Sequence, residues 1–151
     1  MNPSDTKTNQ LQDFKINIKI KLSALWISVM FCYIYGDFFS LFVPGRIQGL
    51  VNGQSGAGPI TPWVLLAYAV LLSIPPLMIV LSLVLKPEIN RLSHIIFGIF
   101  FTIVMLLVVG TSIEKWMIFY CYLGVIEIII TSLIVYYAWL WPKEKSEINK
   151  K

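Results

Sequence analysis

From residue 116 to residue 141 the chain reads WMIFYCYLGVIEIIITSLIVYYAWLW. A single carboxylate, Glu127, interrupts an otherwise uncharged run, and a helix rising about 1.5 Å per residue carries that run across a hydrocarbon core about 30 Å thick. Trp116 stands at one end and Trp139 and Trp141 at the other, the depths at which indole rings settle among lipid headgroups. The run therefore reads as a membrane span anchored at both interfaces, and it sets the scale for the rest of the chain.

Working outward, three more apolar runs of spanning length appear, at about residues 22–43, 62–85 and 92–110. The run at 62–85 opens with Pro62 at a permitted first-turn position and Trp63 at headgroup level, and Pro75 and Pro76 predict a kink within it. Pro44 and Gly45 close the first run. The stretch from there to Thr61, with Gly45, Gly49, Gly53, Gly56 and Gly58, predicts an exposed loop, with Ile47, Leu50 and Val51 at the interface. Connections at 86–91 and 111–115 are short enough to force antiparallel neighbours. The expected fold is all-α, a four-helix up-down-up-down bundle. Ahead of it, Phe14, Ile16, Ile18 and Ile20 alternate with Lys15, Asn17, Lys19 and Lys21, a period of two that suits an interfacial lead-in better than a helix face. The expected organisation is a polar and basic segment at 1–21, a transmembrane domain at 22–141, and a charged, mobile tail at 142–151.

Composition agrees. With 57% hydrophobic and 13% charged residues, the chain cannot coat a water-soluble globule. The net charge of +4 comes from lysines at the ends of apolar runs, where they meet anionic headgroups, so nucleic acid is excluded as a partner. Cys32 and Cys121 lie inside apolar runs at different depths, which predicts two buried thiols and no disulfide. The first apolar run is too long for a cleavable signal and lacks a small-residue cleavage site, so it reads as a signal anchor. Lys7, Lys15, Lys19, Lys21, Lys86, Arg91, Lys143, Lys145, Lys150 and Lys151 gather on one side of the membrane, against Arg46 and Lys115 on the other. By the positive-inside rule both termini are cytoplasmic, with Arg91, Lys19 and Lys21 as topology determinants.

Two acids within the spans carry the functional question, because a carboxylate at the membrane centre costs about 2.5 to 3.5 kcal/mol and needs a reason. Tyr33, Asp37 and Ser40 fall on one face of the first span, and Tyr120, Gly124, Glu127 and Thr131 on one face of the fourth. The expectation is a shared interior lined by Asp37 and Glu127, with Tyr33, Ser40, Tyr120 and Thr131 around it. The competing reading makes the same side chains interhelical hydrogen bonds, with Gly124 permitting close approach. His94, alone near the start of the third span, reads as a hydrogen-bonded or headgroup-facing residue. Arg46, Glu114 and Lys115 read as solvated loop charges. No catalytic set, metal cluster or cofactor motif is present in the sequence, and the glycine-rich loop lacks the lysine and following helix of a phosphate cradle.

Several local patterns occur in a shared order: Leu25-Trp26-Ile27, Asp37 followed by Leu41-Phe42-Val43-Pro44-Gly45, Val51-Asn52-Gly53, Ile74-Pro75, Asn90-Arg91, and Glu127 followed by Tyr137-Ala138-Trp139. Through these the stretch 22–141 resembles an uncharacterised family of small bacterial four-helix membrane proteins, a domain of unknown function. The resemblance implies the architecture and an inner-membrane setting, and no activity, cofactor or substrate. The family pattern has an acidic residue just before the Ile-Pro pair where this chain has Ser73, which weakens any site built of several carboxylates.

Three functions compete on this reading. The first is a pocket lined by Asp37 and Glu127 for a proton, a cation or a small amphiphile, as in a transporter subunit. A helical partner in a homo-oligomer or a larger membrane complex is the second, packing through Ala67, Ala69, Gly98 and Gly124. Last comes a membrane enzyme that uses the two carboxyls as acid and base on a lipid-like substrate.

Overall fold

A computed structural model describes residues 14–56 and 58–142. The expectations for the first dozen residues and for the charged tail beyond Pro142, including Lys7, Lys143, Lys145, Lys150 and Lys151, lie outside the described residues. Five helices run in the order α1 (Ile18–Ser40), α2 (Arg46–Val51), α3 (Pro62–Val84), α4 (Pro87–Thr111) and α5 (Ile118–Trp139). A two-stranded antiparallel hairpin of β1 (Gln54–Ser55) and β2 (Gly58–Pro59) follows α2, and a single 3-10 turn, Lys115–Met117, leads into α5. The long helices α1, α3, α4 and α5 are each long and apolar enough to cross a membrane. Their outer faces expose rows of Phe, Ile, Leu and Val side chains, a surface that only lipid solvates without penalty.

Several boundaries differ from the sequence reading, each for a local reason. α1 begins at Ile18 because the Asn17 side chain accepts the Lys19 amide at 2.9 Å, so the alternating Ile18 to Lys21 stretch is the first turn of a helix rather than a lead-in. At the other end α1 stops at Ser40, three residues short of the expected end. α4 starts at Pro87, not at residue 92, since proline at the first helical position loses no hydrogen bond there. The glycine-rich stretch is not a plain loop: Gly45 and Gly53 take positive φ values of 78° and 73°, and these turns fold α2 and the hairpin back on themselves. α3 runs continuously through Pro75 and Pro76. Cys32 and Cys121 are free and only half-buried, because each lies at the edge of its helix's inward face.

In space the helices stand in the row α3, α1, α5, α4, with α1 packed against both α3 and α5, and α5 packed along α4. α3 and α4 meet only near their shared turn, so the sequence neighbours splay apart. Trp26, from α1, bridges the gap and reaches α4, its ring edge-on to Phe101 at 5.8 Å. Leu22, Trp26, Val29, Met78, Phe101 and Ile134 form the closed core around it.

The end of the bundle that carries Lys15, Lys19, Lys21, Lys86 and Arg91 also holds the C-termini of α3 and α5, whose last carbonyls have no partner within their own helices. Lys19 donates to the carbonyls of Leu83 and Leu85 at 3.3 and 2.8 Å, and Asn90 to that of Ser82 at 2.6 Å. Arg91 donates to the Ala138 carbonyl at 3.2 Å, with its guanidinium 5.9 Å from the Trp139 ring centre. Cations thus sit where two helix dipoles present their negative ends. Trp139 projects outward at this end and Trp141 packs against the core, while Trp63 and Trp116 project outward at the opposite, hairpin end.

Candidate functional site

Along α5 the buried positions are Gly124, Glu127, Thr131, Ile134 and Ala138, a spacing of three and four that keeps one stripe facing the bundle. Glu127 is the acid on that stripe, and at 1% exposure it is withdrawn from the surface altogether. It lies about 14 Å along the helix from Ile118, near the middle of the span. Glu127 lines a small, partly open cavity of about 10 Å³ shared with Cys32, Tyr33 and Gly36 of α1, Met105 of α4, and Tyr120, Leu123 and Gly124 of α5.

Two glycines shape this cavity. A Cβ at Gly36 would come 3.3 Å from the Tyr120 ring, so glycine there lets the phenol lie flat against α1. A Cβ at Gly124 would press on Val109 and Met105, so glycine there lets α5 approach α4. The Tyr33 hydroxyl faces the Glu127 carboxyl across the α1–α5 contact, near enough for each to feel the other. Even so, Tyr33 Oη and Glu127 Oε1 have no partner at hydrogen-bonding distance among the described residues. Unpaired polar atoms buried in protein are costly, which is why they mark places where water, a proton or a ligand belongs.

The other expected members of the site scatter. Asp37 is exposed and does not line the cavity, because the inward stripe of α1 passes through Gly36 and Ser40 and leaves the next position turned outward. Since α1 ends at Ser40, Asp37 lies within one turn of the helix end, about 5 Å along the helix from it. There it feels the Arg46 guanidinium from α2, and Tyr120 feels both Asp37 and Glu127. Ser40 is buried but satisfied locally, its hydroxyl donating to the Asp37 carbonyl at 2.7 Å. Thr131 is buried one turn from Glu127, its hydroxyl 2.9 Å from the Glu127 carbonyl and 2.8 Å from the Thr102 hydroxyl of α4. It ties helices together and does not touch the cavity.

A second buried polar group lies deeper than its sequence position implied. His94 is fully buried, and its Nδ1 accepts the Trp26 indole N–H at 2.9 Å. That bond assigns the proton of the neutral ring to Nε2. His94 Nε2 and the Oδ1 of Asn90, one turn away on the same face, both lack a partner among the described residues. The signal was available in the spacing Asn90, His94, Gly98, Phe101, Met105, which is the buried stripe of α4 once the helix is started at Pro87. Among the described residues no cluster of three or more His, Cys, Asp or Glu side chains has metal-binding geometry.

The chain belongs to a family of unknown function, DUF6326, whose model matches residues 10–147. It matches no curated protein and no solved structure. Family membership thus covers all four spans and the hairpin and brings with it no activity.

Proposed function

We propose that this member of a family of unknown function is a multi-pass protein of the inner membrane, with both termini cytoplasmic, that takes up and releases a proton at Glu127. The observation that carries the reading is the unpartnered, fully buried carboxyl oxygen beside an unpartnered phenol in a cavity of about 10 Å³. A cavity of that size accommodates about one water molecule, and such a water needs two to four polar partners. Glu127 and Tyr33 supply them. The same size argues against a small amphiphile as occupant, so of the ligands the sequence admits the proton fits best. Tyr120, which lines the cavity, and Asp37, exposed near the hairpin end of α1, place the approach for a proton on that side. Cytoplasmic termini rest on the lysine asymmetry between the two ends.

The test is infrared spectroscopy of the whole protein in lipid bilayers over a range of pH. A carboxyl C=O band should appear and disappear with pH, vanish in Glu127→Gln and survive in Asp37→Asn. If the titrating band persisted unchanged in Glu127→Gln, or if no carboxyl band titrated at all, Glu127 would be a structural residue only.

An assembly role is the second reading, favoured by α3. That helix packs on α1 alone over most of its length and leaves Ala67 and Ala69, small residues on different faces, exposed near its hairpin end, where another helix could approach closely. Gly98 and Gly124, by contrast, are already occupied within the chain.

A further inference from the structure

At the lysine-rich end, outside the interior site, the extended residues before α1 stand away from the end of α5 and leave a groove of about 690 Å³. Its walls are Phe14, Ile16, Ile18 and the side chains of Tyr137 and Leu140, with Lys15 and Lys21 among them. The volume lies within the range of about 300 to 1,000 Å³ typical of small-molecule sites, and the lining combines apolar surface with two cations.

We propose that this groove binds the headgroup of an anionic phospholipid from the adjoining leaflet, its phosphate between Lys15 and Lys21 and its glycerol and upper acyl carbons against Ile16, Ile18 and Leu140. Three observations commit the site to that occupant. First, the groove opens where α1 begins and α5 ends, beside Trp139 and Trp141, so in a membrane it lies at headgroup level and lipid is its immediate neighbour. Second, the cations at this end are divided by task. Lys19 and Arg91 are held on helix-terminal carbonyls. The Lys21 ammonium, in contrast, rests 4.5 Å over the Tyr137 ring, held in place within the groove by a contact that leaves its N–H groups free to donate to phosphate. Third, the only acid described at this end, Glu88, sits in the first turn of α4 and does not line the groove. Basic pockets of this kind at the ends of transmembrane helices recognise anionic headgroups through charge and shape together.

Native mass spectrometry of the full-length protein, released from bilayers of equal parts phosphatidylglycerol and phosphatidylcholine, tests the assignment. The wild type should retain phosphatidylglycerol in preference to phosphatidylcholine. Lys15→Gln combined with Lys21→Gln should lower that retention on the order of tenfold or more, since each lysine near the surface contributes a severalfold factor. Lys86→Gln, outside the groove at the same end, should leave it unchanged, and circular dichroism should report unaltered helix content in all variants. Equal retention of both lipids, or a double variant that keeps phosphatidylglycerol as well as the wild type, would overturn the site. An equal loss in Lys86→Gln would overturn it too, replacing a groove with a diffuse field, and displacement by millimolar inorganic phosphate would mean that the phosphate group alone is recognised.

Discussion

The interior of the bundle holds orphaned polar atoms in two places, and the two places are built differently. Toward the lysine-rich end, His94 and Asn90 each spend one polar atom on a firm bond, to the Trp26 indole and to the Ser82 carbonyl, and Leu22, Met78, Phe101 and Ile134 close the space around them. Toward the hairpin end, the Tyr33 hydroxyl and Glu127 Oε1 are unbonded and share a cavity. His94, Asn90 and Glu127 all lie at or below 1% exposure, while Tyr33 is half-buried with its hydroxyl oxygen turned inside. What separates them is anchorage and room. A polar group that is tied down and packed around holds helices in register, whereas one that is untied beside a water-sized space is free to exchange protons.

The largest expected effect breaks the packed half. Trp26→Ala removes the ring that joins α1 to α4 and leaves His94 Nδ1 without its donor, so it should cost about 3 to 5 kcal/mol in a reversible unfolding measurement, the range for deleting a large buried aromatic. A sharper pair compares the two halves directly. Trp26→Phe keeps a ring but loses the bond, and should cost about 0.6 to 1.7 kcal/mol, as interhelical hydrogen bonds in membranes do. Tyr33→Phe removes a hydroxyl that no other side chain or backbone group among the described residues holds at hydrogen-bonding distance, and should cost less than Trp26→Phe, since it gives up only one partner of the cavity water. A loss of stability in Tyr33→Phe as large as that in Trp26→Phe would erase the distinction between the two regions.

How much of this was legible beforehand depended on whether a contact was local. Four apolar helices of spanning length follow from spacing along the chain and are present, and on α5 Gly124, Glu127 and Thr131 share one buried stripe. Glu127 and Tyr33 border one cavity because α1 lies against α5 and each helix turns one regular stripe toward the other. Asp37 failed as a cavity residue because helix phase decides its side: one residue away, Gly36 is buried. His94 is hydrogen-bonded, one of the two alternatives read for it, but its depth was misjudged through its helix start. Placing that start at residue 92 puts the imidazole at the interface, whereas a start at Pro87 carries it about 10 Å into the bundle, toward a tryptophan 68 positions earlier in the chain. No periodicity reports a contact of that separation. The bonds of Lys19 and Arg91 to the ends of α3 and α5 were not legible in the charge pattern, because they depend on which helices end beside them.

A smaller effect is expected from closing the approach between α4 and α5, which supports both regions. A Cβ at Gly98 would lie 2.7 Å from Val135 Cγ2, a stiff branched side chain that cannot yield without moving α5. Gly98→Ala should therefore cost about 1 to 3 kcal/mol, the usual range for overpacking. Gly124→Ala meets the flexible end of Met105 as well as Val109 and also borders the cavity, so it should perturb the Glu127 carboxyl band as well as stability. Gly98→Ala should leave that band alone. If both glycine variants shifted the band equally, the cavity would be coupled to the whole α4–α5 contact and could no longer be treated as a separate region.

The smallest effect lies at the boundary between the regions, in the bond between Thr102 and Thr131. Each hydroxyl has one proton to give. Thr131 has the Glu127 carbonyl within reach at 2.9 Å and Thr102 the Gly98 carbonyl at 2.8 Å, so in the 2.8 Å contact between the two threonines one hydroxyl gives up its own-helix carbonyl to donate, and either direction ties α4 to α5. This places one polar tie directly below Glu127, on the backbone that positions its carboxyl, while Thr102 stands one turn from Gly98 in the tight α4–α5 contact. A double-mutant cycle with Thr102→Val and Thr131→Val isolates the tie, because valine keeps the shape and β-branching of threonine and removes only the hydroxyl. The coupling energy should be about 0.6 kcal/mol, the average for membrane interhelical hydrogen bonds, and each single variant should remain folded. Thr131→Val should also alter the Glu127 carboxyl band, since it removes the hydroxyl within reach of that residue's own carbonyl, whereas Thr102→Val should alter it less. A coupling near zero together with an unchanged band in Thr131→Val would show that the cavity half is held by packing alone and that the two regions meet without a polar link.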